Sequence, residues 1–273
     1  MKVISRTLRM LRINFILARY NIDEILLGSH TFFPLRFLVY LNPFYWTTGR
    51  QLPRGVRIRL AIEKLGPIFV KAGQIISMRR DFIPDDIASE LAKLQDRVPP
   101  FPGEIAKQMI EASLDKSLDS VFTSFDMNAL ASASIAQVHA AELPSGEQVI
   151  VKVLRPQISE ILERDIDLLK SLATLIQRYS TRARRFKPRD IVNEIAQTLY
   201  DELDLMREAA NASQLRRHFK DSKLLYVPQV YWSLCRHNIL VAERVYGIPV
   251  HDIDRLRRSG FNMIKLAERN IEI

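Results

Sequence analysis

Lys152 stands in "QVIVKVL" (148–154). In a strand, alternation puts Val149, Val151 and Val153 on one face and Ile150, Lys152 and Leu154 on the other. Both faces read as apolar, as expected of a strand covered on two sides. An ammonium group there is costly unless an anion meets it. The plainer alternative is a lysine that snorkels to a strand edge. Upstream, "LASASIAQV" (130–138) is rich in small residues and contains no glycine.

A small-residue stretch followed about twenty residues later by an apolar-flanked lysine is the layout of a kinase nucleotide lobe. There the loop covers the phosphates, and the lysine meets phosphate oxygens and a helix glutamate. Such loops normally use glycine so that the backbone can approach phosphate without Cβ contacts. Here Ala131, Ala133 and Ala136 take its place, with the Ser132 and Ser134 hydroxyls beside them. By motif logic alone this is a poor match, and small residues at a turn are common in ordinary hairpins. Two further sets of polar residues stand out. Lys71 and Gln74, three residues apart, share a face of the helix that Pro67 opens. Asp204 and Glu208 are spaced i,i+4, whereas Glu202 faces elsewhere. Taken singly, each has a solvated helix face as its plain reading.

The elements that must hold these residues follow from punctuation and periodicity. "SIAQVHAAEL" and "EQVIVKVL" flank "PSG" (144–146), a hairpin signal with glycine where positive φ is needed. Gly66-Pro67 separates two helices, and "IPDDIASELAKLQD" opens a third with acids near its N-terminus. "RVPPFPG" (97–103) reads as a linker. Helices are expected near 104–113, 159–180 and 189–218. Strands follow at "VPQVYW" and "NILVAERV", and the C-terminal residues are helical. The fold class is α+β: a helical part over 1–103, then a small antiparallel sheet with helices over 104–273.

Composition narrows the function classes. In 273 residues, 47% are hydrophobic and 26% charged, ordinary for a folded globular chain. The single Cys235 excludes a disulfide framework and a cysteine-based zinc cluster, and the five histidines show no ligand spacing, so no metal site is expected. Net charge is +9, and residues 1–60 hold ten Lys/Arg against two acids, or +8 of it. That bias is either a solvated basic face or a surface for an acidic partner or an anionic membrane. Nucleic acid is not expected, since no recognised binding motif accompanies the charge. "VISRTLRMLRINFILARY" (3–20) places Arg6, Arg9 and Arg12 opposite Leu8, Leu11, Phe15 and Ile16, a pattern suited to an interfacial helix. The apolar run at 32–46 is broken by Arg36 and two prolines and is too short to span a bilayer.

"KAGQ" (71–74), the "ASAS" loop, "VKV" and "DELDLMREAAN" (201–211), in this order, resemble the UbiB family of atypical protein-kinase-like proteins. The resemblance covers essentially the whole chain. It implies a kinase-like N-lobe behind a helical extension. Leu130, Ala131, Ser132, Ala133, Ser134, Ile135, Ala136, Gln137 and Val138 would form the nucleotide loop, with Lys152 contacting ATP or ADP. Lys71 and Gln74 would be the family's KxGQ pair, on an extension that folds over the active site. Glu202 and Asp204 match its ExD motif, and Glu208 the acid before "AAN". Spacing leaves open which of Glu202 and Glu208 meets Lys152. Glu208 is favoured, with Glu202 and Asp204 directed toward the KxGQ helix. Glu243, Arg244 and Val245 would form the hinge whose backbone meets adenine.

The family's catalytic Asp and metal-binding Asp are expected beyond Ile273, so the chain reads as a fragment that is catalytically inert alone. The resemblance implies an intact protein that uses ATP and Mg²⁺ as an atypical kinase or ATPase in aerobic ubiquinone biosynthesis. Its partners would be biosynthetic enzymes or lipid precursors, an anionic membrane surface and a second copy in a homodimer. It would sit at the cytoplasmic face of the bacterial inner membrane, peripherally for this chain. Two other readings stand beside this one: a non-catalytic nucleotide-binding regulatory or scaffold module, and a basic peripheral membrane-binding helical protein.

Overall fold

The computed structural model describes residues 12–13, 15–22, 52–80, 83–94, 98–179, 184–185, 187–222, 224–250 and 252–273, with Pro67, Leu175, Ile176 and Tyr179 described by backbone alone. Residues 3–11 of the amphipathic stretch and the aromatic run 32–46 lie outside the described residues. In chain order the elements are α1 (Arg54–Leu65), α2 (Pro67–Ser77), α3 (Asp85–Leu91), α4 (Gly103–Leu114), α5 (Leu118–Val121), β1 (Ser124–Phe125), β2 (Ala131–Ser132), β3 (Ala136–Glu142) and β4 (Gln148–Leu154). They continue with α6 (Ile158–Tyr179), α7 (Pro188–Glu202), α8 (Leu205–His218), β5 (Ile239–Glu243), α9 (Ile253–Arg258) and α10 (Met263–Glu272). They form two compact units interleaved along the sequence. The first comprises Met1–Pro99, Ser132–Ala136 and Arg155–Leu203, and the second Pro100–Ala131, Gln137–Leu154 and Asp204–Ile273.

The first unit is helical. Gly66, at φ 118°, separates α1 from α2, and Pro67 opens α2 where a missing N–H costs nothing. Ala61, Leu65 and Phe69 bury against Leu168 of α6, and Val70 of α2 against Leu91 and Leu94. Several N-terminal arginines are engaged inside this unit. Arg54 forks onto Asp86 at 2.7 and 2.8 Å, Arg59 reaches Glu63 and Glu90, and the buried Arg57 donates to the Asn21 carbonyl at 3.3 Å. The uneven charge is therefore partly internal wiring.

The second unit is built on the sheet, in the order β1-β3-β4-β5 with the short β2 beside β3. β4 and β5 run antiparallel, with Val149 opposite Glu243 and Lys152 opposite Leu240. Gly146, at φ 91°, turns the β3–β4 hairpin and donates to the Leu143 carbonyl. Val149, Val151 and Val153 are fully buried with Ile239 and Val241, and Ile110 and Leu114 of α4 cover them. The other face of β4 is more open than alternation predicts: Leu154 is buried, but Ile150 and Lys152 are half-buried. On β5 the residues that share this face, Leu240 and Ala242, are buried, so the opening is local to Ile150 and Lys152.

Two predicted elements differ. The single helix expected over 189–218 is two, because Asp204 accepts a hydrogen bond from the Met206 N–H and starts α8 afresh. Aspartate satisfies an orphan N–H at a helix start better than it sits mid-helix. "VPQVYW" is not a strand. It makes one bridge, Val230 to Ala242, then enters a short 3₁₀ turn at Trp232–Leu234. Pro228 has no N–H to extend the pairing.

Candidate functional site

Lys152 projects from the half-covered face of β4, and Glu208 comes from the first turns of α8. The ammonium lies 2.6 and 2.8 Å from the two carboxylate oxygens, with side-chain exposures of 24% and 46%. The acid that meets Lys152 is thus Glu208. An ammonium has three donors. Two are taken by Glu208, which leaves a third on a side chain that is 24% exposed. α8 is held for this contact by the Asp204 cap and by the Leu205 N–H, which donates to the His237 carbonyl at 3.0 Å. Asp204 also meets His237 Nδ1 at 3.0 Å. Burial pulls the Asp204 carboxyl up, but the His237 and Met206 hydrogen bonds outweigh it and hold the group below the usual aspartate value.

Gln137 is wholly buried and used within the second unit. It accepts from the Phe101 N–H at 3.0 Å, donates to the Phe101 carbonyl at 3.2 Å and lies 2.8 Å from His139 Nε2. His139 Nδ1 is 2.8 Å from the Asp126 carbonyl, which can only accept. Nδ1 therefore carries the proton, and neutral Nε2 accepts from the Gln137 amide. Burial pushes this imidazole below its ordinary pKa, against the pull of the Asp126 carbonyl. Leu130 and Ala131 are exposed and Val138 is half-buried.

At the end of β5, the Glu243 N–H donates to the Gln229 carbonyl and the Arg244 N–H to the Gln148 carbonyl. The Glu243 carboxylate accepts from the Tyr226 hydroxyl and the Gln229 N–H, and these bonds hold its pKa down. Of the three residues expected at the hinge, Val245 is the one exposed above half.

In the first unit, Ser134, Ile135 and Ala136 are buried, and Ser132 and Ala133 half-buried. Arg155 pins this segment. Its guanidinium donates to the Ala133 carbonyl at 3.0 Å, the Ser132 hydroxyl at 2.7 Å and the Pro99 carbonyl at 3.0 Å. Its backbone N–H donates to the Ile135 carbonyl at 2.8 Å. Nothing in "VLRP" marked Arg155 for this task.

The KxGQ residues lie in the same unit on α2. Lys71 Nζ is 2.9 Å from Glu202 of α7, and the Gln74 amide donates to the Leu94 carbonyl at 3.1 Å. Between them, a Cβ on Gly73 would fall 2.6 Å from Leu94 Cδ1. A side chain at Gly73 would therefore require the Leu94 methyl group to shift. No group of three or more His, Cys, Asp or Glu side chains suited to a metal occurs among the described residues.

The ABC1 atypical kinase-like domain matches residues 93–273. Over 97% of its length the chain is 52% identical to the probable protein kinase UbiB of Pseudomonas paraeruginosa, and 51% identical to that of Azotobacter vinelandii. The corresponding protein of Marinobacter nauticus is 47% identical over 98% of the chain. The chain spans about half the length of these curated relatives. A solved structure, the Rv3197–erythromycin complex of Mycobacterium tuberculosis, aligns at TM-score 0.49 and 26% identity over 67% of this chain and 46% of that one, a likeness too weak to carry an argument. The domain match covers well over half of the chain, and the order of its motifs agrees with it: the chain belongs to the UbiB family of ABC1 atypical kinase-like proteins.

Proposed function

We propose that this chain is the nucleotide-binding part of a UbiB-type atypical kinase or ATPase that supports aerobic ubiquinone biosynthesis at a membrane surface. The observation that carries the reading is the Lys152–Glu208 pair, at 2.6 and 2.8 Å on the open face of β4. A carboxylate orients the ammonium, and its remaining donor suits a phosphate oxygen of ATP or ADP. Of the expected nucleotide loop, Leu130, Ala131 and Val138 offer accessible surface, while Gln137 is occupied within the fold. Mg²⁺ is usually held by one or two carboxylates plus nucleotide phosphates. In this reading it arrives with the nucleotide and supplies charge neutralisation there.

Membrane association is supported by a patch of the first unit. Arg12, Arg19 and Lys64 are exposed around Phe15, itself 51% exposed. Cations beside an exposed aromatic fit a peripheral contact with anionic headgroups. No described helix is long and apolar enough to cross a membrane.

The test is thermal unfolding of the 273-residue chain with and without ATP or ADP. Nucleotide should raise the transition temperature of the wild type, and Lys152→Ala should remove the rise. A folded sample indifferent to both nucleotides would overturn the reading. A rise that persists unchanged in Lys152→Ala would displace the site from Lys152.

A further inference from the structure

The first N–H groups of a helix have no acceptor within it. In α8, the helix that carries Glu208, the amides of the first turn find theirs on two residues. The Leu205 N–H donates to the His237 carbonyl at 3.0 Å, and the Met206 N–H to Asp204 Oδ1 at 3.0 Å. The Arg207 and Glu208 N–H groups donate to the Asp204 carbonyl at 3.1 and 3.4 Å. Asp204 and His237 together therefore fix the turn from which the Glu208 side chain leaves.

Asp204 is itself held by His237. The same Oδ1 that caps Met206 lies 3.0 Å from His237 Nδ1. A carboxylate only accepts, so Nδ1 carries the proton and donates. His237 thus grips two consecutive residues at the start of α8, Asp204 by its ring and Leu205 by its carbonyl. It also stands in the frame of Lys152. Asn238, next in the chain, accepts from the Leu154 N–H at 3.1 Å, and Leu240 lies opposite Lys152 in the β4–β5 register. The contacts close a ring from Lys152 across the sheet to Leu240, along the chain to His237, and over to Asp204. From there α8 leads to Glu208, which returns to Lys152 at 2.6 and 2.8 Å. The His237 side chain is 84% exposed. What it contributes is this hydrogen bond rather than buried area.

We infer that His237 is a positioning residue of the nucleotide site: acting through Asp204, it holds the first turn of α8 so that Glu208 meets Lys152. The effect on nucleotide rests on the reading of Lys152 as the phosphate-binding lysine, whereas the effect on the Lys152–Glu208 pair does not.

The test uses the 273-residue chain and two readouts: ADP affinity by calorimetry, and the rate at which acetic anhydride acetylates Lys152, followed by mass spectrometry. A lysine engaged by a carboxylate reacts slowly, since acylation needs its lone pair. His237→Ala should speed Lys152 acetylation and weaken ADP, each about three- to tenfold, the range that one hydrogen bond supports. Its circular dichroism spectrum should be unchanged; His237→Leu serves if that variant does not fold. His237→Asn, whose amide nitrogen can take the place of Nδ1, should restore both readouts. On a Glu208→Gln background, His237→Ala should weaken ADP no further, because the group it acts through is gone. Arg216→Ala, near the far end of α8, should leave Lys152 acetylation unchanged. Lys152 acetylation indifferent to a folded His237→Ala, or equally fast in Arg216→Ala, would overturn the assignment. So would a failure of His237→Asn to restore it, or losses of ADP affinity that simply add to those of Glu208→Gln. A wild type that ignores ADP while His237→Ala still frees Lys152 would overturn the nucleotide reading and leave the positioning standing.

Discussion

Lys152 and Glu208 stand 56 residues apart in the chain, yet the ammonium touches both oxygens of the carboxylate at 2.6 and 2.8 Å. A pair this exposed contributes little to folding, about 0–1 kcal/mol, so the proposed nucleotide role predicts a loss of affinity rather than of stability when it is broken. Glu208→Gln removes the charge that orients the lysine. ATP or ADP affinity should fall about tenfold, some 1.4 kcal/mol, while the denaturant midpoint of the free chain stays within error. A large stability loss with unchanged affinity would make the pair structural.

The ion pairs Lys71–Glu202 and Arg79–Glu194, which tie α2 and the turn after it to α7, should be measurably unequal. A double-mutant cycle on Lys71 and Glu202 should give a coupling of about 0.5–1 kcal/mol, because both side chains are largely shielded. The same cycle on Arg79 and Glu194 should give less than about 0.5 kcal/mol. Urea unfolding of the four single and two double variants beside the wild type measures both, and equal couplings would contradict the shielding argument.

His139 should make stability sensitive to acid. Its folded pKa lies below the ordinary 6.5 because burial disfavours the imidazolium. Below about pH 6.5 the unfolded chain therefore binds a proton that the folded chain refuses. The stabilisation is complete above that value and is lost as pH falls toward the depressed folded pKa. Protonated Nε2 would also confront the Gln137 amide donor. Urea midpoints from pH 7.5 to 5 should fall for wild type and fall less for His139→Gln.

Arg155 holds the Ser132–Ala136 segment through side-chain bonds to Ser132 and Ala133. Arg155→Ala should cost about 1–3 kcal/mol, the range for exposing buried acceptors, and should speed proteolytic cutting within 130–138. Arg155→Lys should recover only part, since an ammonium cannot present the guanidinium fork. Limited proteolysis followed by mass spectrometry reads the cut site directly.

Local sequence was sufficient wherever the backbone itself imposed the answer. Gly146 and Gly66 mark positive-φ positions, Pro67 marks a helix start, and alternation placed Val149, Val151 and Val153 on one buried face. The order of four motifs identified the family. Spacing could not say whether an aspartate in a helical stretch is surface or cap, so the break at Asp204 was missed, and with it the separation of Glu202 and Glu208 onto two helices. The excess of N-terminal positive charge was readable. The use of Arg54, Arg57 and Arg59 inside the fold was not, because their partners lie far along the chain. Pairings such as Lys152 with Glu208 and Lys71 with Glu202 are set by which helix faces pack together, and one-dimensional periodicity carries no information about that choice.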